Sequence, residues 1–129
     1  MYMVYEAGAY PGSPIAGGVT SGLSAYKIEN ILIDGYDVVC NKPKSAAYRA
    51  PGHPQACFAV ESALDELAEL LDIDPMDLRV KNVAEEGDRP VTGVPHARVN
   101  LKGVMEVMKN HPHYSAPLGG ANRGRGVAT

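Results

Sequence analysis

The stretch Ala47-Tyr48-Arg49-Ala50-Pro51-Gly52-His53-Pro54-Gln55 is where residue type and spacing offer chemistry. It sets one arginine in a bend made by proline and glycine and delivers the chain into the longest amphipathic segment, through Phe58, Glu61, Leu64 and Leu67. The first turn of a helix leaves backbone N–H groups unpaired at the positive end of its dipole, so such a junction can hold an anion or a polar cofactor.

The remaining chemistry-bearing residues point to less. His111 and His113 form an H-x-H pair able to chelate a metal from an extended strand, but a proline separates them and no carboxylates cluster nearby, so an exposed tail is expected. Cys40 and Cys57 are far apart and form no C-x-x-C pair, which argues against a zinc site or a disulfide framework and for two reduced thiols. The glycine-rich loop Gly8 to Gly18 contains neither a Walker nor a dinucleotide fingerprint and reads as a connector. Asn122-Arg123-Gly124-Arg125-Gly126 is one short basic turn in an acidic chain, only superficially like an RGG tract.

Several elements must position these residues. Met1 to Ala7 reads as a strand. Ala25 to Ile33 and Tyr36 to Cys40 are β-rich runs separated by Asp34-Gly35, which predicts a hairpin with a two-residue turn. Pro54 suits the first helical position, and Cys57, Val60, Leu64, Leu67 and Leu71 recur at the spacing of one buried stripe. Glu61, Asp65, Glu66 and Glu69 are placed on the solvated faces of that helix. Asp74 is a good N-cap with Pro75 behind it, predicting a short helix to about Val83 that buries Leu78 and exposes Arg79 and Lys81. Asn100 is expected to cap a third helix through Leu101, Val104, Met105 and Met108 that stops at His111-Pro112, and Gly124 to Thr129 reads as the beginning of a further strand.

With 129 residues, 45% hydrophobic and 21% charged, the chain has the length and composition of one ordinary globular domain. A formal charge of −3 gives no electrostatic reason to expect nucleic acid or an anionic membrane as partner. No apolar run is long enough to span a bilayer and no signal-peptide order is present, so a cytoplasmic location is the default expectation.

The string AYRAPGHPQACFAVESALDELAELLDIDPMDLRVKN, Ala47 to Asn82, strongly resembles the molybdopterin-binding region of the large subunit in the xanthine dehydrogenase and aldehyde oxidase family, which includes carbon monoxide dehydrogenase and hydroxybenzoyl-CoA reductase large chains. Gly8-Ala9-Tyr10, Tyr26-Lys27-Ile28, Glu86-Gly87-Asp88 and Gly124 to Ala128 fall in the family's order. The resemblance implies that residues 1–129 are a single partial domain, a fragment internal to a larger large subunit. In that family a pterin dithiolene holds the molybdenum, and the loop matching Ala47-Tyr48-Arg49 lies against the metal's oxygen ligands. Carried over, Tyr48 and Arg49 are the implied cofactor-binding residues, with the backbone at Arg49 the implied metal contact. Backbone N–H groups and a cationic side chain suit that role, because they stabilise charge on oxygen ligands in a dry site.

The resemblance has departures. Purine-oxidising members carry an aromatic residue where this chain has Pro51, the implied substrate-binding position, and a substrate-orienting arginine where this chain has Gly17. Carbon monoxide dehydrogenases carry a copper-holding cysteine where this chain has Ala50. Both substrates are therefore disfavoured, and hydroxylation of an aldehyde or a heteroaromatic carbon with water as the oxygen source is the implied reaction of the complete enzyme. The family's catalytic glutamate, most pterin-binding motifs, and the iron-sulfur and flavin partners have no counterpart here. The isolated chain is accordingly expected to hold no cofactor and to be inactive. A stand-alone interaction or scaffold module is the competing expectation, and self-association through an exposed apolar face follows from either. The expected architecture is α+β: a small mixed sheet made by the hairpin and the terminal strands, with three helices on one side.

Overall fold

A computed structural model describes all residues 1–129. The elements are β1 (Tyr2–Gly8), α1 (Ile15–Ser21), β2 (Asp34–Val39), α2 (His53–Leu70), α3 (Pro75–Asn82), α4 (Leu101–Lys109) and α5 (Pro112–Ser115). The α+β class holds, with a small sheet and helices packed beside it, but the sheet is built differently from the expected hairpin.

β1 and β2 pair in parallel, with Tyr2 opposite Asp34 and Val4 opposite Tyr36. A two-residue hairpin turn needs positive φ at its centre, and Gly35 is absent from the positive-φ glycines; Asp34-Gly35 opens β2 instead of turning the chain. Parallel strands require a long crossover, and residues 9–33 with α1 supply it. Residues 27–33 run without strand partners. Tyr26 makes an isolated antiparallel bridge with Val83, where Lys27 N–H donates to Asn82 O at 2.8 Å and Ala84 N–H to Ala25 O at 2.9 Å.

α1 packs against both strands and against α2. The approach is close because a Cβ on Gly35 would stand 2.7 Å from Val19 Cγ2, and one on Gly22 3.3 Å from Ala56 Cβ. Asp37 ties down the loop before α1, its Oδ2 accepting from Gly12 N–H and Ser13 N–H at 2.6 and 3.2 Å.

The helices after β2 follow their sequence signals at the starts. Gly52 is the N-cap of α2 and Pro54 its second residue. Asp74 caps α3, its Oδ1 accepting from Met76 N–H at 2.9 Å and Asp77 N–H at 3.1 Å. Asn100 occupies the N-cap position of α4 without making a side-chain cap bond.

Two placements on these helices are corrected. On α2 the buried positions are Ala56, Val60, Glu61 and Ala68, while Leu67 and Leu71 are 42% and 52% exposed; Cys57 and Leu64 are half-buried. Arg79, expected on the surface of α3, is fully buried. One interaction explains both. Arg79 reaches Glu61 across the α2–α3 contact, which turns Glu61 inward and rotates the apolar stripe of α2 toward its small residues.

The apolar centre is small: Met76, Val83 and Met105, packed by Val80, Leu101, Tyr114 and Val127. The expected terminal strand at Gly124 to Thr129 is not formed; the segment lies against this centre through Val127. Only 16 of 129 residues are buried, so much apolar surface stays exposed. It includes Tyr2, Val4, Tyr36 and Val38 on one face of the sheet.

Candidate cofactor-binding turn

The turn between β2 and α2 is built from unusual backbone. Arg49 and Ala50 have φ of 37° and 47°, and Gly52 has φ of 83°. Left-handed conformations cost a non-glycine residue about 1 to 2 kcal/mol each, and strain of this kind persists only where the surroundings fix it. The surroundings here are glycines of α1. A Cβ on Gly17 would stand 2.1 Å from Pro51 O and 3.1 Å from the His53 ring, and one on Gly52 would stand 2.3 Å from Pro14 O. His53 Nδ1 lies 3.1 Å from Pro51 O, and His53 N–H donates to Ala50 O at 3.0 Å, closing the turn into the helix.

The turn leaves its donors free. None of the amides from Ala46 to Ala50, nor that of Gly52, donates to another backbone carbonyl. Tyr48 is 85% exposed, and Arg49 is exposed with no ion pair and no aromatic ring beneath it. Tyr48 and Pro51 come together on the wall of a cavity of about 270 Å³, with Tyr5, Ser45, Gly52 and Gln55. Arg49 does not line that cavity. Its walls carry hydroxyl and amide groups and no charged side chain, so it suits a neutral polar group, while the adjacent free amides and the Arg49 guanidinium suit an oxyanion. The donor set thus fits one side of a polar, oxygen-rich cofactor.

Gly17 bears on the departures noted in the sequence. A side chain there would collide with Pro51 O, so the backbone of the turn itself closes this position to anything larger than glycine. Gly17 and Pro51 therefore form one packing arrangement.

His111 Nδ1 accepts from His113 N–H at 3.2 Å as the cap of α5, and no group of three or more His, Cys, Asp or Glu is placed to hold a metal. Cys40 and Cys57 are free and half-buried. Cys40 Sγ donates to Glu6 Oε1 at 3.1 Å, and that carboxylate, with burial, pushes the thiol's pKa up.

The cluster that sequence reasoning missed lies between α2, α3 and the C-terminal segment. Arg79 Nε donates to Glu61 Oε2 at 2.7 Å, its Nη1 lies 2.8 Å from Asp65 Oδ1, and its Nη2 donates to Glu61 O and to Val127 O. Tyr26 O–H donates to Glu61 Oε1 at 2.6 Å, and Thr129 Oγ1 lies 2.8 Å from the Tyr26 hydroxyl. Burial and the Glu61 carboxylate drive the Tyr26 pKa well above its ordinary value. Burial opposes the charge on Arg79, yet Glu61 and Asp65 outweigh it and hold the guanidinium more firmly protonated than in water. An acidic residue on a charged helix carries no mark of such a role. The one available signal was an apolar neighbour on each side of Arg79, Leu78 and Val80.

The model of the molybdopterin cofactor-binding domain family matches residues 1–83, which include the whole turn and α3. The chain belongs to this family. The xanthine dehydrogenase molybdenum-binding subunit of Escherichia coli O157:H7 is 38% identical over 96 residues, covering 68% of this chain and 13% of that subunit. The aldehyde oxidoreductase of Megalodesulfovibrio gigas is 37% identical over 95 residues, covering 74% of this chain and 10% of that enzyme. Among solved structures, the aldehyde oxidoreductase of Desulfovibrio gigas superposes with a TM-score of 0.75 at 32% identity, over 82% of this chain and 12% of that one. Quinoline 2-oxidoreductase of Pseudomonas putida 86, at 22% identity and a TM-score of 0.72, shares the fold. The chain therefore spans roughly an eighth of the length of these relatives. No helix of this family member is long and apolar enough to cross a membrane.

Proposed function

We propose that residues 1–129 form a single partial domain that supplies one wall of the molybdenum-cofactor site in an oxidoreductase of the xanthine dehydrogenase and aldehyde oxidase type. The observation that carries this reading is the left-handed turn at Arg49 and Ala50, with its unpaired amides, at the start of α2. Tyr48 and Arg49 would hold the cofactor, with the backbone at Arg49 as its contact to the metal, and Pro51 would border the substrate. When bound, the cofactor supplies the two-electron acceptor for hydroxylation of an aldehyde or heteroaromatic carbon with water as the oxygen source. The chain's own part is to hold donors at fixed positions, so that no reorganisation is needed when charge develops. The catalytic base, the remaining pterin contacts and the iron-sulfur and flavin partners come from outside these residues, and the assembled enzyme is cytoplasmic. The isolated chain is inactive and retains no cofactor.

The test is Arg49→Ala in the assembled enzyme. Turnover is expected to fall by roughly 100-fold, the loss typical of removing one preorganised donor, with unchanged thermal stability. Unchanged turnover, or a loss of folding that accounts for the loss of activity, overturns the assignment.

The exposed sheet face favours a second reading, a scaffold or interaction module without catalytic activity. Tyr2 and Val4 are each 70% exposed beside Tyr36 and Val38 on a parallel pair, an arrangement otherwise buried on both faces. In either reading the isolated chain self-associates through this face. Sedimentation should show concentration-dependent association that Val4→Lys abolishes; a monomer at all concentrations sinks the assignment of this face.

A further inference from the structure

The chain's charge is segregated: Glu106 is its last acidic side chain, and beyond it stand Lys109, His111, His113, Arg123 and Arg125, although the whole carries −3. The fold gathers the end of this segment around one open cavity of about 660 Å³, between the end of α5 and the turn before the C-terminal segment, lined by His113, Asn122, Arg123, Gly124 and Arg125 among others, none of them acidic. Arg125 is pinned there, its two Nη groups donating to the carbonyls of Tyr114 and Ala116 at the end of α5, with no carboxylate to neutralise it. Arg123 has no ion pair. Its Nε lies 4.0 Å from where a Cβ on Gly120 would stand, so the guanidinium is close to the turn.

The backbone adds to this. Gly119, Gly120 and Asn122 have φ of 51°, 82° and 60°, and no amide from Gly119 to Gly126 donates to another backbone carbonyl. Turns with left-handed residues can direct successive N–H groups into one concavity, an arrangement suited to anions. Two guanidinium groups without carboxylate partners, an imidazole and free amides line one cavity in an otherwise acidic protein, a field that favours an oxyanion. Both Nη groups of Arg125 are already engaged, so the remaining donors, those of Arg123, His113 and the free amides, are spread around the cavity, a distribution matched by a tetrahedral ion.

We propose that the cavity between α5 and the Asn122–Gly126 turn is a binding site for a phosphate group, either the free ion or a monoester. It is separate from the turn at Arg49 and does not depend on the cofactor reading.

The test is an amide-resolved NMR titration of the full chain with inorganic phosphate and, in parallel, glycerol 3-phosphate, at constant ionic strength. Saturable shifts confined to His113 and to residues 119–126 are expected. Arg123→Gln should weaken binding by roughly tenfold, the loss of one charge-assisted contact, whereas Arg89→Gln, a change at an exposed arginine elsewhere, leaves affinity unaltered. Tighter binding of the ester assigns the site to an esterified phosphate, and tighter binding of the free ion assigns it to phosphate itself. Shifts that never saturate, or equal affinities for the parent and Arg123→Gln proteins with both ligands, overturn the proposal. Because Arg123 has no ion pair in the fold, its replacement leaves the structure intact and the comparison valid.

Discussion

Arg79 Nε lies 2.7 Å from Glu61 Oε2 with both side chains almost wholly out of solvent, so a buried ion pair joins α2 to α3. Removing one member of such a pair leaves a charge buried and unpaired, which typically costs about 3 to 5 kcal/mol. Arg79→Met and Glu61→Leu are each expected to lower stability by that order in urea denaturation. The double variant should recover part of the loss, because two apolar groups can fill the space without a stranded charge. Equal destabilisation in all three would show that the pair is not the relevant interaction.

Gly52 and Gly87 have nearly the same φ, 83° and 87°, but different surroundings. Nothing lies within 4 Å of a Cβ placed on Gly87, whereas one on Gly52 would meet Pro14 O at 2.3 Å and Gly18 N at 2.6 Å. Gly87→Ala should therefore cost only the conformational term, about 1 kcal/mol. Gly52→Ala should cost at least twice that, since backbone must move. The two melting curves, recorded side by side, separate strain from collision.

Tyr114 O–H donates to Asp74 Oδ1 and Oδ2 at 2.9 and 3.0 Å, and burial together with that carboxylate pushes its pKa up to about 12. An unfolded tyrosine titrates near about 10. The fold favours the protonated phenol, so this contribution is complete below the unfolded value and is lost as pH rises from there through the folded one. The melting temperature should fall across that alkaline window, and Tyr114→Phe should flatten part of the fall. Asp74→Ala should return the phenol toward its ordinary range in an absorbance titration and also remove the α3 cap, worth about 1 kcal/mol.

The proposed role of Arg49 predicts an effect on function and none on folding. It is exposed and free of ion pairs, so Arg49→Ala in the isolated chain should change stability by less than about 0.5 kcal/mol. A larger loss in chemical denaturation would make Arg49 part of the scaffold and weaken its assignment to the cofactor.

The elements that announce themselves locally were legible in the sequence. Asp74-Pro75 fixed the start of α3 because capping is a contact between neighbours, and Pro54 marked the first turn of α2 because its missing N–H is tolerated there, the helix itself beginning one residue earlier at His53. The Ala47–Gln55 turn stood out by composition, and its family resemblance agrees with the family match over residues 1–83. The strand pairing was not legible. Asp34-Gly35 satisfies the chemistry of a hairpin turn, and only the availability of β1 as a parallel partner, reached through α1, selected the other arrangement.

By itself the sequence determined the α+β class, the starts of α3 and α4 and, to within one residue, that of α2, and the bend at Arg49, all set by interactions within a few residues along the chain; α1, inside the stretch read as a connector, and α5, where a tail was expected, were not legible. Tertiary structure alone decided that Arg79 and Glu61 are buried together, that Gly17 closes against Pro51, and that Val127 reaches the core. These contacts join residues 18 or more positions apart. Whether a charged side chain is solvated or buried then depends on which distant partner the fold brings to it, and residue type carries no record of that.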